Sequence, residues 1–379
     1  MRKVCIIHET GNGRLGGHFI ENAFLGLPGV EIAAIADSNK DRTVADYIPR
    51  PAQRYYDYKE MIEKERPDIL VLASRLPEEH FEQIDFAIEH HCHVLTEKPF
   101  VADIIQADYL ISKAAEQNIQ IAVAHLGRFA PVFQTMKRMI AEGELGQVLS
   151  CYLRGKEDNR GGGEDMMVLG SHLLDMAAYL FGHPLEVYSD IRVNGRNITS
   201  GDIMQTDEPI GLTAGDEVMA FYRFPGNINT IFESRRGMVE RNIATRLGIV
   251  VTGTKASIAV RFENDRSLRI CKNFPMPNED ESNFERVFVD TALEIPGADL
   301  IDYTQCVLNP ASENHRYYAD NNRRIAWDLL QSIEKNRQLA SSATDALWSL
   351  EMIIGAYRSA IERHPLTFPL IERKHPLCK

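Results

Sequence analysis

The chain has 379 residues, of which 44% are hydrophobic and 25% charged, with a formal net charge of −12. This is ordinary globular composition, and the length is typical of about two domains. The negative charge argues against nucleic acid or an anionic membrane surface as a partner, and no apolar run approaches the roughly 20 residues of a membrane span. The start leads directly into a strand-like segment, which predicts no signal peptide, and six scattered cysteines without a CxxC pair are typical of reduced thiols in a cytoplasmic protein.

Strand and helix patterns alternate through the first 125 residues. Short apolar runs predict strands at 3–7, 30–36, 68–73, 93–96 and 119–124, and helical patterns predict helices at about 17–27, 80–90 and 104–117. Short, continuous apolar strands separated by helices are typical of a parallel sheet that is covered on both faces. We therefore expect an α/β fold whose N-terminal domain, residues 1–125, is a doubly wound parallel sheet of the Rossmann type.

The pattern changes after residue 125, and residues 126–379 are assigned to a second, α+β domain with a large, mostly antiparallel sheet. Period-two and β-branched runs between about 185 and 270 predict most of its strands, and a further strand is predicted at 147–155. Helices are predicted at 131–142, 165–181, 319–334 and 342–362, and the segment 273–308 is interpreted as a surface excursion. The closing helices, about 319–362, are candidates to pack back on the first domain.

A glycine-rich turn follows the first predicted strand. It fits the pattern GxGxxG and comprises Gly11, Asn12, Gly13, Arg14, Leu15 and Gly16. Glycines in such a turn let the backbone approach a pyrophosphate, whose charge rests on the following helix N-terminus. Asp37 ends the second strand, where a carboxylate can hydrogen-bond the ribose of a dinucleotide, and Ser38 follows it. The acid favours NAD over NADP, because a 2′-phosphate would meet like charge, and NADP stays open because basic residues lie nearby.

The strand at 93–96 leads into the tripeptide Glu97-Lys98-Pro99. Ligands of open α/β sheets bind outside the carboxyl ends of the strands, so a lysine placed there is a candidate site residue. The alternative is an ordinary Glu–Lys pair on the surface.

The ordered combination of motifs resembles the Gfo/Idh/MocA family, whose signature is a Glu-Lys-Pro at this point of the fold. The resemblance includes the nucleotide turn, His80 and the residues ahead of the tripeptide. It continues through Arg128-Phe129-Ala130-Pro131, 143–146, the stretch Gly170-Ser171-His172-Leu173-Leu174-Asp175, and 345–360. It implies an NAD(P)-dependent oxidoreductase that transfers hydride to or from a secondary alcohol of a sugar, sugar derivative or inositol. It also implies a homodimer or homotetramer that is formed through the antiparallel sheet.

The resemblance also assigns roles to individual residues. Lys98 would contact the nicotinamide end of the cofactor and the reacting hydroxyl, where its charge stabilises developing alkoxide. Glu97 would orient the loop, and Pro99 would follow a cis peptide bond. His172 matches the catalytic histidine of the family, a residue type suited to proton exchange near neutral pH.

The chain departs from the family pattern one helical turn before the histidine. Relatives commonly carry an aspartate four residues earlier, and here that position is Val168. Either Lys98 and His172 suffice, or another acid substitutes. The candidate catalytic or substrate-binding residues are Asp165, Glu164, Asp158, Arg128 and Asp175.

Two further functions stay open at this stage. One is transient oxidation of a sugar by bound NAD, followed by elimination of a substituent; the other is a regulator that senses the cofactor or a sugar without turnover. The run His90-His91-Cys92-His93 resembles a set of metal ligands, but its side chains are expected to diverge where a helix end leads into a strand, so no metal site is predicted.

Overall fold

The structure, a computed structural model, describes residues 1–10, 17–208, 210–240, 247–262, 264–272, 283–302 and 315–378. The chain forms two compact units that are each assembled from separate segments. Unit 1 comprises Met1–Ala102, Gln106–Phe129 and Ala292–Ala346; unit 2 comprises Asp103–Ile105, Ala130–Thr291 and Leu347–Lys379. The last part of the chain is thus divided between the two units: Ala292–Ala346 belong to unit 1 and Leu347–Lys379 to unit 2.

Unit 1 contains a six-stranded parallel sheet with the order β3-β2-β1-β4-β5-β6. Its strands are β1 (Arg2–Ile7), β2 (Val30–Ala36), β3 (Gln53–Tyr55), β4 (Ile69–Leu72), β5 (His93–Thr96) and β6 (Ile121–Val123). Its helices are α1 (Tyr58–Glu65), α2 (Pro77–Glu89), most of α3 (Ile104–Glu116) and α7 (His315–Lys335). This order confirms the predicted doubly wound sheet, whose central strands are apolar because both of their faces are covered.

The predicted helix at 17–27 is wrong. The segment contains a single 3-10 turn, Ile20–Asn22, and Phe19 ahead of it adopts a left-handed backbone with φ 64°. The left-handed residue breaks the helical path, and Gly26, with φ 64°, then turns the chain toward β2. The apolar spacing reflects burial of this segment and does not reflect an α-helix, since Ile20, Ala23 and Phe24 are buried.

Unit 2 contains a sheet whose described strands follow the order β15-β14-β13-β12-β7-β11-β10-β8-β16, with β9 beside β8. The strands are β7 (Val148–Arg154), β8 (Glu186–Val193), β9 (Arg196–Asn197), β10 (Glu217–Phe224), β11 (Ile228–Arg235), β12 (Gly248–Gly253), β13 (Ser257–Arg261), β14 (Arg269–Cys271), β15 (Glu285–Arg286) and β16 (Leu366–Thr367). Each pair is antiparallel except β7 with β11, which confirms the predicted mostly antiparallel sheet.

Helices cover one face of this sheet. They are α4 (Pro131–Ala141), α5 (Gly163–Val168), α6 (Gly170–Phe181) and most of α8 (Ala343–Glu362). The period-two pattern points alternate residues of β10 toward them: the Tyr222 hydroxyl donates to the Met352 carbonyl oxygen at 3.1 Å. The other face keeps half-buried and exposed apolar side chains.

The single helix predicted at 165–181 is also wrong, because the helix is interrupted at Leu169. This residue ends α5 and begins α6, with φ −106° and ψ −32°. Of the predicted surface excursion at 273–308, residues 273–282 and 303–308 lie outside the described residues, and the part between them includes β15.

Within the described residues, no helix is long and apolar enough to cross a bilayer. Four of the described cysteines (Cys5, Cys92, Cys151 and Cys271) are buried as free thiols.

Candidate functional site

The glycine turn itself, Gly11–Gly16 with Asn12, Gly13, Arg14 and Leu15, lies outside the described residues, but both of its flanks are described. On the far side, Gly17 passes so close to β4 and β5 that a Cβ atom there would lie 2.6 Å from the Ala73 carbonyl oxygen and 3.0 Å from Glu97 Oε1. Only glycine fits at such a close approach. The backbone that leaves the turn therefore runs directly over the carboxyl ends of two central strands.

On the near side, Asp37 holds the backbone that enters the turn. Its carboxylate accepts the backbone N–H of Thr10 at 3.1 Å and of Asn39 at 2.8 Å, together with the hydroxyls of Thr10 and Tyr47. Burial alone would raise the pKa of Asp37, but the hydroxyl hydrogen bonds from Thr10 and Tyr47 outweigh it and hold this pKa below its usual value. Asp37 thus stands at the end of β2, as the sequence indicated, with its oxygens already engaged by the protein.

The residues between β1 and the turn are anchored in a similar way. Glu9 accepts hydrogen bonds from both the backbone N–H and the hydroxyl of Ser38, at 3.2 and 2.5 Å. The segment between β1 and the turn, residues 8–10, is therefore hydrogen-bonded to the residues that follow β2.

A buried ionisable pair, His8 and Glu21, lies beneath this entry to the turn. His8 Nε2 and Glu21 Oε2 are 3.7 Å apart, and both side chains are 2% exposed. Burial lowers the pKa of His8 to about 4 and raises the pKa of Glu21 to about 8. At neutral pH the pair therefore carries a neutral imidazole and a protonated carboxyl.

Lys98 follows the end of β5 in unit 1 and is 3% exposed. The bond between Lys98 and Pro99 is cis. Glu97 Oε2 accepts the backbone N–H of Lys98 at 3.2 Å, and Glu97 Oε1 accepts the backbone N–H of His18 at 2.7 Å. Burial by itself would raise the pKa of Glu97, but its hydrogen bond with His18 and the charge of Lys98 lower this pKa to about 2. Glu97 is therefore an anion that joins the lysine loop to the exit of the glycine turn.

His80 fixes the same loop from α2. Its Nε2 lies 2.8 Å from the Ser74 carbonyl oxygen, and its Nδ1 lies 3.0 and 3.1 Å from the carbonyl oxygens of Pro99 and Phe100. The imidazole is fully buried. His80 thus connects Ser74, two residues after β4, to the two residues that follow Lys98.

The candidate acids of unit 2 cluster where β7 and β11 end. Asp158 forms an ion pair with Arg160, Nη2 to Oδ2 at 2.7 Å, and Arg160 also contacts Glu208 at 2.6 Å. Burial would raise the pKa of Asp158, but the Arg160 hydrogen bonds hold it below its usual value. Glu164 accepts the backbone N–H groups of residues 207 and 208, and burial raises its pKa. These two acids are therefore part of a buried ion-pair and hydrogen-bond network.

Asp165 is the most enclosed of the candidate acids. Its Oδ2 accepts the Ser234 hydroxyl at 2.6 Å and the Glu157 backbone N–H at 3.2 Å, and its Oδ1 has no hydrogen-bond partner among the described residues. Burial raises the pKa of Asp165 to about 6. A Cβ atom at Gly155 would lie 2.1 Å from Oδ2, so glycine is needed at the end of β7 to leave room for the carboxylate. Asp165 can therefore change charge near neutral pH.

His172 lies on α6 with 8% of its surface exposed. Its ring centroid is 5.2 Å from that of Phe262, and Phe262 packs in turn on Phe133 at 5.2 Å. Val168 ends α5 and is buried, and Asp175, one turn after His172, is fully buried. An apolar side chain thus stands where relatives were expected to carry an acid.

Arg128 anchors another part of the chain. Its guanidinium donates to the Ala340 carbonyl oxygen at 3.0 Å and contacts Asp345 at 3.0 Å, all within unit 1. Next to it, the Ser341 hydroxyl donates to the Val123 carbonyl oxygen at 2.7 Å and extends the edge of the parallel sheet at β6. The contacts of Arg128 therefore serve the packing of this segment.

The histidine run shows no metal-ligand arrangement. His90 Nδ1 faces the Phe86 carbonyl oxygen, the Cys92 thiol faces that of Pro67, and His93 Nδ1 accepts the Gln120 N–H. Across the described part of the chain, no group of three or more acidic, histidine or cysteine side chains could hold a metal ion.

Sequence reasoning did not single out His18, Arg75, Glu21, Tyr318 or Asn322. Tyr318 and Asn322 lie on α7, and no local signal connects that helix to the glycine turn. His18 follows the turn by two residues, and its position there was the one available hint.

Comparison with known proteins identifies both parts of the chain. The family model described as the oxidoreductase family with an NAD-binding Rossmann fold matches residues 4–125, and the C-terminal domain model of the same GFO/IDH/MocA family matches residues 133–259. The first of these parts is accordingly an NAD-binding domain, and its cofactor is NAD. One similar solved structure is described as an NADPH-dependent oxidoreductase.

Individual relatives are distant. An uncharacterized oxidoreductase of Escherichia coli is 28% identical over 200 residues, which are 48% of this chain and 55% of that protein. A scyllo-inositol 2-dehydrogenase (NADP+) of Bacillus subtilis is 28% identical over 136 residues, 32% of this chain and 37% of that protein. The chain thus spans about half the length, or less, of the curated relatives that it matches.

Solved structures match the fold over nearly the whole chain. An oxidoreductase of Agrobacterium radiobacter, crystallised with NAD+, L-tartaric acid and magnesium, has a TM-score of 0.70 at 16% identity and covers 97% of this chain and 98% of its own. A UDP-N-acetylglucosamine 3-dehydrogenase of Acidithiobacillus ferrooxidans has a TM-score of 0.66 at 15% identity, covering 95% and 98%. At these identities the likeness shows the fold alone.

Proposed function

Since the chain belongs to the GFO/IDH/MocA family of NAD-binding oxidoreductases, we propose that it oxidises or reduces a secondary alcohol of a sugar, sugar derivative or inositol. The observation that carries the proposal is the placement of Lys98 at the carboxyl end of a central parallel strand, tied by Glu97 to the exit of the nucleotide turn. A relative named for scyllo-inositol supports the substrate class.

The flanks of the turn fit a dinucleotide. Gly17 lets the backbone pass against β4 without a side chain, and Asp37 and Glu9 secure the residues that enter the turn. We assign the cofactor to the turn 11–16 together with Asp37, Ser38, Glu97, Lys98 and Pro99. When bound, the nicotinamide supplies the hydride acceptor or donor of the reaction.

The protein's own groups handle the charge and the proton. The Lys98 ammonium stabilises negative charge that develops on the substrate oxygen. His172 takes up the hydroxyl proton on oxidation and returns it on reduction. Asp165 has no exposed surface, so we assign it a supporting role: it holds Ser234 and the 157 backbone in place.

NADH fluorescence tests the proposal. Purified protein and NAD are mixed with a panel of aldoses, glycosides and inositols, and we expect NADH to form with at least one of them. Lys98→Ala and His172→Ala should each lower kcat/KM by about 100-fold or more. The matched controls are Lys64→Ala and His90→Ala, which alter exposed side chains.

Other results would redirect the proposal. If NAD binds while every sugar stays unchanged, the dehydrogenase proposal fails and a sensing role gains support. If a glycoside is cleaved without accumulation of NADH, transient oxidation followed by elimination becomes the better account.

We also propose a homo-oligomer that is formed through the face of the unit 2 sheet that the helices leave uncovered. Directly opposed residues of six strands form an apolar row on that face: Tyr188, Phe221, Ile231, Tyr152, Val250 and Ala259. Tyr188 is 41% exposed, and the other five are half-buried. An apolar row on an uncovered sheet face is typical of a subunit interface.

A further inference from the structure

Three polar side chains, Arg75, His18 and Glu97, form a continuous chain of contacts beside the nucleotide turn. Arg75 Nη1 lies 3.2 Å from His18 Nε2, and His18 Nδ1 lies 3.5 Å from Glu97 Oε1. The backbone N–H of His18 donates to the same Glu97 oxygen at 2.7 Å. All three residues belong to unit 1, and Glu97 is 2% exposed.

The chemistry of the guanidinium fixes the orientation of this chain. Arginine has only donors, so His18 Nε2 must present its lone pair to Arg75, and the ring proton must then reside on Nδ1. That N–H faces the Glu97 carboxylate. The order of donation is therefore Arg75 to His18 to Glu97.

The second oxygen of Glu97 extends the chain to the reactive lysine, because it accepts the Lys98 backbone N–H. The buried Glu97 carboxylate thus accepts backbone hydrogen bonds from both His18 and Lys98. The backbone of His18 is therefore linked to that of Lys98 through two hydrogen bonds to a single group.

Helix α7, which lies late in the polypeptide, contacts His18 from another side. The Tyr318 ring stacks on His18 with centroids 5.4 Å apart and an interplanar angle of 19°, and Asn322 Nδ2 donates to the His18 carbonyl oxygen at 2.6 Å. His18 is therefore held on its ring face, its carbonyl and its N–H, while its ring nitrogens face Arg75 and Glu97.

We propose that Arg75, His18 and Glu97 are positioning residues that couple cofactor occupancy of the nucleotide turn to the placement of Lys98. This inference rests on the proposed function for the role of Lys98. If these residues couple the two, a substitution among them should alter both the affinity for NADH and the turnover that depends on Lys98.

Glu97→Gln is the central variant. An amide has one acceptor oxygen, so its NH₂ must face one of the two backbone N–H groups that the carboxylate now accepts. We expect kcat to fall about tenfold or more with little change in the KM for the sugar, and the Kd for NADH to rise at least threefold. Glu97→Asp keeps both acceptors and should recover part of kcat, and Glu78→Gln, at an exposed position of α2, is the control.

The ring of His18 gives a readout that is independent of turnover. In ¹⁵N spectra of histidine-labelled protein, assigned by loss of one signal pair in His18→Gln, we expect the Nδ1–H tautomer. Arg75→Met removes the donor and should abolish that preference, and NADH should shift the His18 signals in the wild type but not in Glu97→Gln.

The kinetic, binding and ¹⁵N measurements distinguish failure of the proposed function from failure of the proposed coupling. If the wild type binds NADH but turns over no sugar, the proposed function fails, and NADH affinity with the ¹⁵N signals still tests the coupling. An Nε2–H tautomer in the wild type, or a folded Glu97→Gln with unchanged kcat and NADH affinity, overturns the inference. Thermal unfolding of each variant shows whether it is folded, and Glu97→Asp provides the test if Glu97→Gln is not.

Discussion

Asn322 donates a 2.6 Å hydrogen bond from Nδ2 to the backbone carbonyl oxygen of His18, 304 residues earlier in the chain. Asn322 is 1% exposed, and Phe19 beside His18 packs on Ala319 of the same helix. The exit of the nucleotide turn is therefore completed by a helix that the chain reaches only after most of unit 2. Unit 1 needs its C-terminal segment to form the surroundings of His18.

Replacing Asn322 should weaken both stability and cofactor binding. Asn322→Leu removes the donor and leaves the His18 carbonyl oxygen buried without it, which should cost about 1–3 kcal/mol of unfolding free energy. Asn322→Asp places a carboxylate against that oxygen and should cost more. Urea unfolding and NADH titration measure the two effects; equal stability of all three proteins would contradict this role for the bond.

His80→Phe should destabilise the lysine loop. The substitution keeps a ring of similar size but removes the contacts to the carbonyl oxygens of Ser74, Pro99 and Phe100, at a cost of about 2 kcal/mol or more. We expect a lower Tm together with a loss of kcat that exceeds any change in NADH affinity. His90→Phe, at an exposed position on the surface, is the matched control and should leave both unchanged.

Gly17→Ala should be poorly tolerated. The added Cβ atom would lie 2.6 Å from the Ala73 carbonyl oxygen, and a backbone atom cannot move away as a flexible side chain could. We expect a loss of about 1–3 kcal/mol in unfolding free energy and weaker NADH binding. Gly201→Ala is the control, because the nearest atom to its added Cβ is 3.8 Å away. Normal NADH affinity in Gly17→Ala would show that the turn tolerates displacement.

Asp165→Asn should change how stability depends on pH. The pKa of Asp165 is about 6 in the folded protein, above the value of about 3.9 for an unfolded chain. Folding therefore favours the protonated form, and its contribution is fully present below about pH 4 and lost as the pH rises through 6.

The asparagine variant lacks that titration. Its stability relative to the wild type should accordingly increase by about 2 kcal/mol between pH 4 and pH 7. Unfolding free energies of both proteins across this range measure the difference, with Asp41→Asn, an exposed carboxyl, as control. A difference that does not vary with pH would mean that Asp165 titrates normally.

Phe221→Arg should dissociate the proposed oligomer. Phe221 is the second residue of the apolar row, between Tyr188 on β8 and Ile231 on β11. A charge there would be desolvated in a subunit interface, whereas it would remain solvated in a monomer. Light scattering after size-exclusion chromatography should show a smaller mass than for the wild type, and Tyr56→Arg, an exposed aromatic in unit 1, should not change it. A wild type that is already monomeric would refute the interface.

The amino-acid sequence by itself determined the elements whose signal is local. Apolar runs gave five of the six parallel strands, and β3 was missed because Gln53–Tyr55 form no apolar run. Period-two runs gave the antiparallel sheet, and the Glu97-Lys98-Pro99 tripeptide with the glycine turn identified the family. These features depend on residues a few positions apart, whose spacing decides which side chains share a face. The same spacing gave wrong helix predictions at two places. The left-handed backbone of Phe19 prevents the helix predicted at 17–27, and Leu169 divides the helix predicted at 165–181.

Only the tertiary structure decided how the site residues are held. The sequence placed Asp37 at the end of its strand, but only the structure shows that Thr10 and Tyr47 donate hydrogen bonds to its carboxylate. The sequence also indicated Glu97, but it did not indicate that His18 contacts Glu97 and that Arg75 contacts His18. Tyr318 and Asn322 reach His18 across some 300 residues of chain, through packing of α7 on unit 1. Such contacts arise from long-range burial, which pairs side chains by the shape and polarity of whole elements and leaves no local pattern that marks the partner.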